Sequence, residues 1–135
     1  MTGPGVYEAI TRGVAVRVRP VYLPDQSEPA ERRWIWAYTI EIDNTGGETV
    51  QLLSRHWIIT DATGHVEQVQ GPGVIGEQPI LQPGESFTYT SGCPLPTPSG
   101  TMVGTYTMTD LNGTRFEIEI PAFSLDLPNA PRVVN

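Results

Sequence analysis

Apolar and polar residues alternate along much of the chain in short runs. The clearest run extends from Trp34 to Asn44, where one face carries Trp36, Tyr38, Ile40 and Ile42. A period of two is that of a β-strand with one buried face. No segment carries a sustained helical stripe, so the pattern predicts roughly seven or eight strands at a spacing of about 8–14 residues. That number and spacing favour a two-sheet antiparallel sandwich, with a small closed barrel as the alternative.

Turn-forming residues separate these runs. The chain has 14 glycines and 13 prolines in 135 residues, which is well above average usage. Asp61–Gly64 and Asn112-Gly113 have hairpin-turn chemistry, and Pro83-Gly84 fits the centre of a type II turn. The alternation slips between Val50 and Thr60, which a β-bulge near Ser54 would explain.

The periodic part of the sequence sets the predicted domain limits. Residues 1–12 lack periodicity and are interpreted as a flexible N-terminal tail, residues 13–127 as one domain, and residues 128–135 as a C-terminal tail. The proline-rich stretch Cys93–Pro98 is predicted to be an extended loop. The residues expected to face the core are Val14, Val16, Val18, Trp36, Tyr38, Ile40, Ile42, Tyr106, Phe116, Ile118 and Ile120.

Charge and cysteine content narrow the function classes. The formal net charge is −7 and the chain has no lysine, which argues against a nucleic-acid partner because such binding needs a basic surface. The sequence shows neither a signal peptide nor an apolar stretch of membrane-spanning length. Cys93 is the single cysteine, so no internal disulfide can form. We therefore expect a cytoplasmic protein without a membrane partner.

Two arginines on the first clear strand predict a charged outer face. Arg17 and Arg19 alternate with valines, which places both on the solvent side. Their expected partners are Glu41 or the pair Glu117 and Glu119.

A glycine-rich loop and the strand before it hold the candidate binding residues. Gly71, Gly73 and Gly76 match the spacing of a dinucleotide-binding loop, but the segment after Glu77 contains prolines and no helix pattern. The dinucleotide interpretation therefore fails on context, and three glycines that only permit a tight loop are the simpler explanation. Loop amides could still bind an anion.

The basic residues nearest this loop are Arg55 and His56. Because the Asp61–Gly64 turn would pair the two strands antiparallel, Arg55 and Gly71 should lie at the same end. Arg55 could bind phosphate or carboxylate there, or it could pair with a carboxylate of the chain such as Asp61 or Glu77. Because adjacent residues of a strand face opposite sides, only one of Arg55 and His56 can point inward. The predicted ligand- or partner-binding set is Arg55, His56, Gly71, Gly73, Gly76 and Glu77.

No catalytic or metal-binding pattern appears in the sequence. Cys93 has no local signature of a nucleophile and is interpreted as a small apolar filler. His56 and His65 are the only histidines, and they lack a metal-ligand spacing with each other or with Cys93. We expect no catalytic residues, no metal and no cofactor.

Several blocks of the sequence resemble the ApaG family. They are S-R-H-W-I-I-T-D-A-T-G-H-V-E-Q-V at 54–69, G-P-G-V-I-G-E-Q-P-I-L-Q-P-G-E-S-F-T-Y-T-S-G at 71–92, T-P-S-G-T-M-V-G-T-Y-T-M at 97–108 and I-P-A-F-S-L at 120–125. The resemblance extends in order from about Val14 to Leu125, and its visible departures are Cys93 and the proline-rich loop behind it. It implies an immunoglobulin-like or fibronectin type III-like sandwich.

The resemblance implies a small binding module and supplies no enzymatic activity. Members of the family are linked to cobalt tolerance and magnesium efflux. Similar domains in a eukaryotic F-box protein and in a DNA-polymerase-delta-interacting protein serve protein–protein contact. We therefore expect protein–protein interaction, with a protein partner. The alternative is an anionic small molecule, pyrophosphate or a dinucleoside polyphosphate, bound through the Gly71–Gly76 loop. The oligomeric state stays open between monomer and homodimer.

Overall fold

Within residues 5–128, nine antiparallel strands form two sheets. The structure is a computed structural model and describes residues 5–128. The strands are β1 (Tyr7–Thr11), β2 (Val14–Tyr22), β3 (Trp34–Asn44), β4 (Val50–Asp61), β5 (Val66–Pro72), β6 (Ile80–Leu81), β7 (Ser86–Leu95), β8 (Gly100–Asp110) and β9 (Arg115–Leu125). One sheet has the order β1-β2-β3-β7 and the other β5-β4-β8-β9, with β6 beside β4. The predicted all-β sandwich is confirmed.

In the part of the chain that the structure describes, helical structure is confined to single turns. Within residues 5–128 the only helical segments are two 3-10 turns, Pro24–Gln26 and Pro29–Glu31, in the connection between β2 and β3. None of the helices in this range is long or apolar enough to cross a membrane.

The core lies between the two sheets and is built from the alternating positions. Ten of the eleven residues predicted to face it are buried, including Trp36, Ile40 and Tyr106, none of which is more than 1% exposed. Phe116 is the exception. It is only partly buried and packs against the core from the edge, where the Arg12 guanidinium carbon lies 4.2 Å from its ring centroid. The period-two pattern therefore identified the buried faces correctly.

Two segments differ from the sequence prediction. Tyr7–Thr11 pair with β2 as β1, although they fall in the predicted N-terminal tail. Their pattern was weak because Ile10 points outward and is 62% exposed. Strand β7 continues to Leu95, where a loop was predicted. Pro94 is tolerated because β7 is an edge strand, which can lose one N–H donor. Of the predicted C-terminal tail, only Pro128 lies among the described residues, so the tail stays a prediction.

A bulge in β4 decides which side chains enter the sandwich. The register against β8 shifts between Leu52 and Ser54, as the slipped alternation predicted. Leu52 is buried before the shift, and Trp57 is buried after it. An extra residue reverses the facing of everything that follows it in a strand. The bulge therefore brings Arg55 to the core face, opposite the fully buried Tyr106.

The two long sides of the sandwich are built differently. On one side β1 and β9 are joined by a hydrogen bond from the Glu119 amide to Thr11 Oγ1 at 3.1 Å. On the other side the edge strands are β5 and β7. Both lie wholly within the described residues, and no hydrogen bond joins them. We call the first the closed side and the second the open side.

Candidate functional site

Arg55 and His56 lie on opposite faces of β4, as strand geometry requires. Arg55 pairs across the sheet with Tyr106 and Gly71, on the face towards the core. His56 points outward, where its Nε2 lies 2.8 Å from Gln68 Oε1. The predicted common binding surface therefore divides between two faces. The predicted nearness of Arg55 to the glycine loop is confirmed, because Arg55 and Gly71 are direct partners.

The Arg55 guanidinium holds the start of the glycine loop. Its Nη1 donates hydrogen bonds to the carbonyl oxygens of Pro72 and Gly73, at 3.0 and 2.9 Å. A Cβ at Gly71 would lie only 3.1–3.3 Å from the guanidinium atoms, so this position has room for the group because it carries no side chain. Pairing of Arg55 with Asp61 or Glu77 was the wrong prediction: the nearest partners are backbone carbonyls.

The loop itself is a two-residue hairpin. Val74 and Glu77 exchange backbone hydrogen bonds of 2.8 and 2.9 Å, and Ile75 and Gly76 between them have φ of 44° and 79°. Positive φ at both central residues is the signature of a type I′ turn. Gly73 is buried, has a φ of 62°, and a Cβ there would collide with the Glu77 carbonyl. These glycines have clear geometric roles.

Most of the amides expected to bind an anion are occupied within the chain. Gly73 donates its amide to the Leu53 carbonyl at 2.8 Å, and those of Val74 and Glu77 close the hairpin. Pro72 has no amide proton. The Glu77 side chain is exposed and adds a negative charge beside the turn. The main donors expected for anion binding by the loop are therefore already occupied. Arg55 remains as the group suited to bind an anion.

Arg55 also borders a cleft on the open side of the sandwich. The cleft has a volume of about 270 Å³ and lies between the inward faces of β5 and β7. Trp57, Ile59 and Met102 form part of its apolar wall, and Ser91 and Glu67 provide polar groups. Its remaining lining residues are Tyr38, Val69, Gly92, Cys93 and Pro94. Among the described clefts, this is the one in which a cation, a thiol and aromatic rings occur together.

Three tyrosines surround the buried end of this region. The hydroxyls of Tyr89 and Tyr106 are 2.6 Å apart and form a hydrogen bond within the core. Burial raises the pKa of Tyr38, Tyr89 and Tyr106, and the nearby positive charge of Arg55 opposes the rise at each of them. All three phenols are therefore neutral at physiological pH, when they can donate as well as accept hydrogen bonds.

Cys93 lies in the wall of the cleft and is not activated. Burial raises the pKa of its thiol to about 11, with a further contribution from the negative charge of Glu67. The thiolate is the nucleophilic form, so this thiol is almost wholly unreactive near neutral pH. Its predicted role as an apolar filler agrees with its burial.

The other predicted charged groups lie away from the cleft. Arg17 contacts Glu8 and Glu41 at 2.7 Å and Asp43 at 3.2 Å on the outer face of the first sheet, so the predicted pairing with Glu41 is confirmed. Arg19 has no salt bridge among the described residues. Groups of three or more histidine, cysteine, aspartate or glutamate side chains able to hold a metal ion are absent from residues 5–128.

Sequence analysis missed Glu67 and Ser91 as members of the candidate site, and it assigned Tyr38 and Cys93 only to packing. These residues come from three different strands, and nothing in their spacing shows that they meet. One signal was available. The slipped alternation at Ser54 implies that Arg55 follows the facing of Trp57, which places a cation among core aromatics.

Comparison with known proteins identifies the family. The family model described as the ApaG domain matches residues 24–110. The protein ApaG of Mesorhizobium japonicum is 61% identical over 130 residues, which cover 96% of this chain and 100% of that protein. ApaG of Rhodospirillum centenum is 60% identical over 124 residues, covering 92% of this chain and 95% of its own.

A solved structure agrees with the fold as well. The putative ApaA protein from Bordetella pertussis superimposes with a TM-score of 0.84 at 52% sequence identity, covering 87% of this chain and 95% of that one. The family model spans well over half of the chain, and the sequence relatives match nearly its full length. The chain therefore belongs to the ApaG family.

Proposed function

We propose that this chain is a protein-interaction module, without enzymatic activity, that binds its partner at the open side of the sandwich. The observation that carries the proposal is the cleft between β5 and β7, two edge strands that leave backbone groups unpaired on either side of it. A free strand edge can pair with an extended peptide, and an adjoining cleft can select its side chains. Trp57 and Tyr38 form the buried aromatic floor of the cleft, and the partly exposed Ile59 and Val69 offer apolar surface to a partner side chain.

The chemistry of the cleft supports binding over catalysis. The pKa of its thiol is raised to about 11 and the pKa of its one tyrosine, Tyr38, is raised as well, so neither group is prepared as a nucleophile or base. His56 points away on the outer face, and His65 lies exposed in the β4–β5 connection. The single cysteine is buried and free, which suits the reducing cytoplasm in which we propose that the module acts.

Site-specific crosslinking tests this proposal. A photo-crosslinking phenylalanine derivative replaces Glu67 at the exposed rim of the cleft, and in a matched strain it replaces Glu117 on the outer face of β9. After irradiation in cells of the source organism, we expect a discrete protein adduct from position 67 and none from position 117. Mass spectrometry identifies the partner, which is then purified for a binding measurement.

The decisive measurement uses two tryptophan variants of neighbouring residues. Val69 faces the cleft and Gln70 faces outward, so Val69→Trp fills the cleft and Gln70→Trp adds the same bulk elsewhere. We expect Val69→Trp to weaken binding of the purified partner at least tenfold and Gln70→Trp to leave it within about twofold. Equal affinity for both folded variants, or equal crosslinking from positions 67 and 117, contradicts the proposal.

A further inference from the structure

Arg55 is a cation on the inner face of the sandwich, and no carboxylate of the described residues pairs with it. Within residues 5–128 it forms no salt bridge, whereas Arg17 forms three. Its Nη1 is occupied by the carbonyls of Pro72 and Gly73. Neutral carbonyls orient the guanidinium but leave its charge uncompensated. A partly buried charge of this kind is costly unless something else pairs with it.

Two donor groups of the same side chain remain available. No described residue accepts a hydrogen bond from Arg55 Nε or Nη2, although the guanidinium can donate five in all. The side chain lines the cleft, and the hydroxyl of Ser91 belongs to the same cleft. The fork formed by Nε and Nη2 has the geometry of a two-oxygen acceptor, which a carboxylate offers.

Glu67, the acidic residue that lines the cleft, does not pair with Arg55. Glu67 lies on β5 four residues from Gly71, which is the cross-strand partner of Arg55. Four residues of strand separate the two positions by about 13 Å. Glu67 therefore gives the cleft a negative end opposite a positive one. The acidic group of a ligand bound at Arg55 therefore lies at the end of the cleft away from Glu67.

We propose that the cleft binds an extended peptide segment of the partner through a carboxylate seated on Arg55, an inference that rests on the proposed function. The partly exposed apolar residues Ile59 and Val69 take the neighbouring side chain of the peptide. A volume of about 270 Å³ lies just under the range of sites that enclose a drug-sized ligand, and it suits one or two peptide side chains. Loop amides play no part in this arrangement.

The carboxylate could be an acidic side chain or a chain terminus, and short peptides distinguish them. The probes are acetyl-Ala-Glu-Ala-amide, acetyl-Ala-Ala-Ala with a free C-terminal carboxylate, and the neutral acetyl-Ala-Gln-Ala-amide. NMR titration follows the amides of Ser91, Gly92 and Cys93 and the indole of Trp57. We expect at least one acidic probe to saturate these shifts with a dissociation constant of about 1 mM, and the neutral probe to bind at least tenfold more weakly.

Variants separate the charge from the shape of the cleft. Arg55→Gln should weaken the acidic probe at least tenfold, and Arg55→Lys should recover only part of the loss because it lacks the planar fork. Since Arg55 also holds the glycine loop, Val69→Trp is the second test: it fills the cleft and leaves those carbonyl contacts in place. It should abolish the shifts, and Gln70→Trp should preserve them.

Each contrary outcome identifies what fails. Equal binding of the acidic and neutral probes, or unchanged binding by folded Arg55→Gln, overturns the carboxylate site. Saturable shifts with inorganic pyrophosphate but with neither acidic peptide overturn it in favour of a small-anion site. If the crosslinked partner still needs an open cleft but binds Arg55→Gln normally, this inference fails while the proposed function stands.

Discussion

The closed and open sides of the sandwich differ in how their edges meet. On the closed side the Glu119 amide reaches Thr11, and the Tyr7 ring lies 6.0 Å from that of Phe123. On the open side β5 and β7 share no hydrogen bond within the described residues, and a cleft of about 270 Å³ separates them. Side-chain contacts close one side of the sandwich, whereas the other side leaves the charged groups Arg55 and Glu67 bordering a cleft above the buried rings of Tyr38 and Trp57.

Arg17, which faces outward, and Arg55, which faces inward, show a similar difference. Arg17 is surrounded by Glu41, Glu8 and Asp43, and the hydrogen bonds that it donates to these carboxylates raise the pKa of its guanidinium further above its ordinary value. Arg55 has only carbonyl partners in the described chain. A fully paired cation stabilises the fold, whereas a cation with free donors beside a cleft is suited to a ligand.

Removing the aromatic anchor of the closed side should have the largest effect. Phe123 is 2% exposed, and its ring contacts those of Tyr7, Tyr38 and Trp57 at centroid distances of about 6 Å. Phe123→Ala should lower the free energy of unfolding by about 3–5 kcal/mol, through lost contacts and the cavity left behind. Urea denaturation at pH 7 measures the change.

The open side supplies the control for this experiment. Val69 lies half-buried in the wall of the cleft, so Val69→Ala removes little buried area and should cost about 1 kcal/mol or less. If Val69→Ala were as destabilising as Phe123→Ala, the cleft would be part of the structural core, and the distinction between the two sides would be wrong.

How far the sequence predicts each side depends on whether the contacts are local. Alternation in 34–44 and the slip at Ser54 identified the sheets and the bulge because both are short-range patterns. The closed side was missed because Tyr7–Thr11 show no clear pattern of their own and need β2 to form a strand. Tyr38 and Ser91 are partners on neighbouring strands of one sheet, and Glu67 on the other sheet meets them only through packing of the two sheets. Spacing along the chain encodes neither contact.

The buried tyrosine pair beneath the cleft should show the next largest effect. Tyr106→Phe leaves the Tyr89 hydroxyl without its partner and should cost about 1–3 kcal/mol. The double variant with Tyr89→Phe should cost less than the sum of the two single changes, because it removes both polar groups. Urea denaturation of the four proteins forms the complete cycle. Additive effects would show that the hydroxyls do not depend on each other.

The same pair predicts how stability depends on alkaline pH. Burial raises the pKa values of Tyr89 and Tyr106 in the folded chain above the ordinary value of about 10. Their stabilising contribution is therefore complete below pH ~10 and is lost as pH rises above it. Cys93 titrates nearby, so all proteins carry Cys93→Ala. The double phenylalanine variant should lose less stability between pH 9 and 11, and an unchanged decline would contradict the assignment.

The smallest expected effect is a difference in how salt changes the stability cost of replacing Arg17 and Arg55. Arg17→Gln leaves three carboxylates close together and should lower the free energy of unfolding by about 1 kcal/mol at low ionic strength. In 1 M NaCl the Debye length is about 3 Å, so at least half of this difference should disappear. The cost of Arg55→Gln comes from bonds to neutral carbonyls and should not change with salt. Urea denaturation at both salt concentrations measures each difference, and a salt-sensitive cost at Arg55 would show that a carboxylate of the chain already pairs with it in solution.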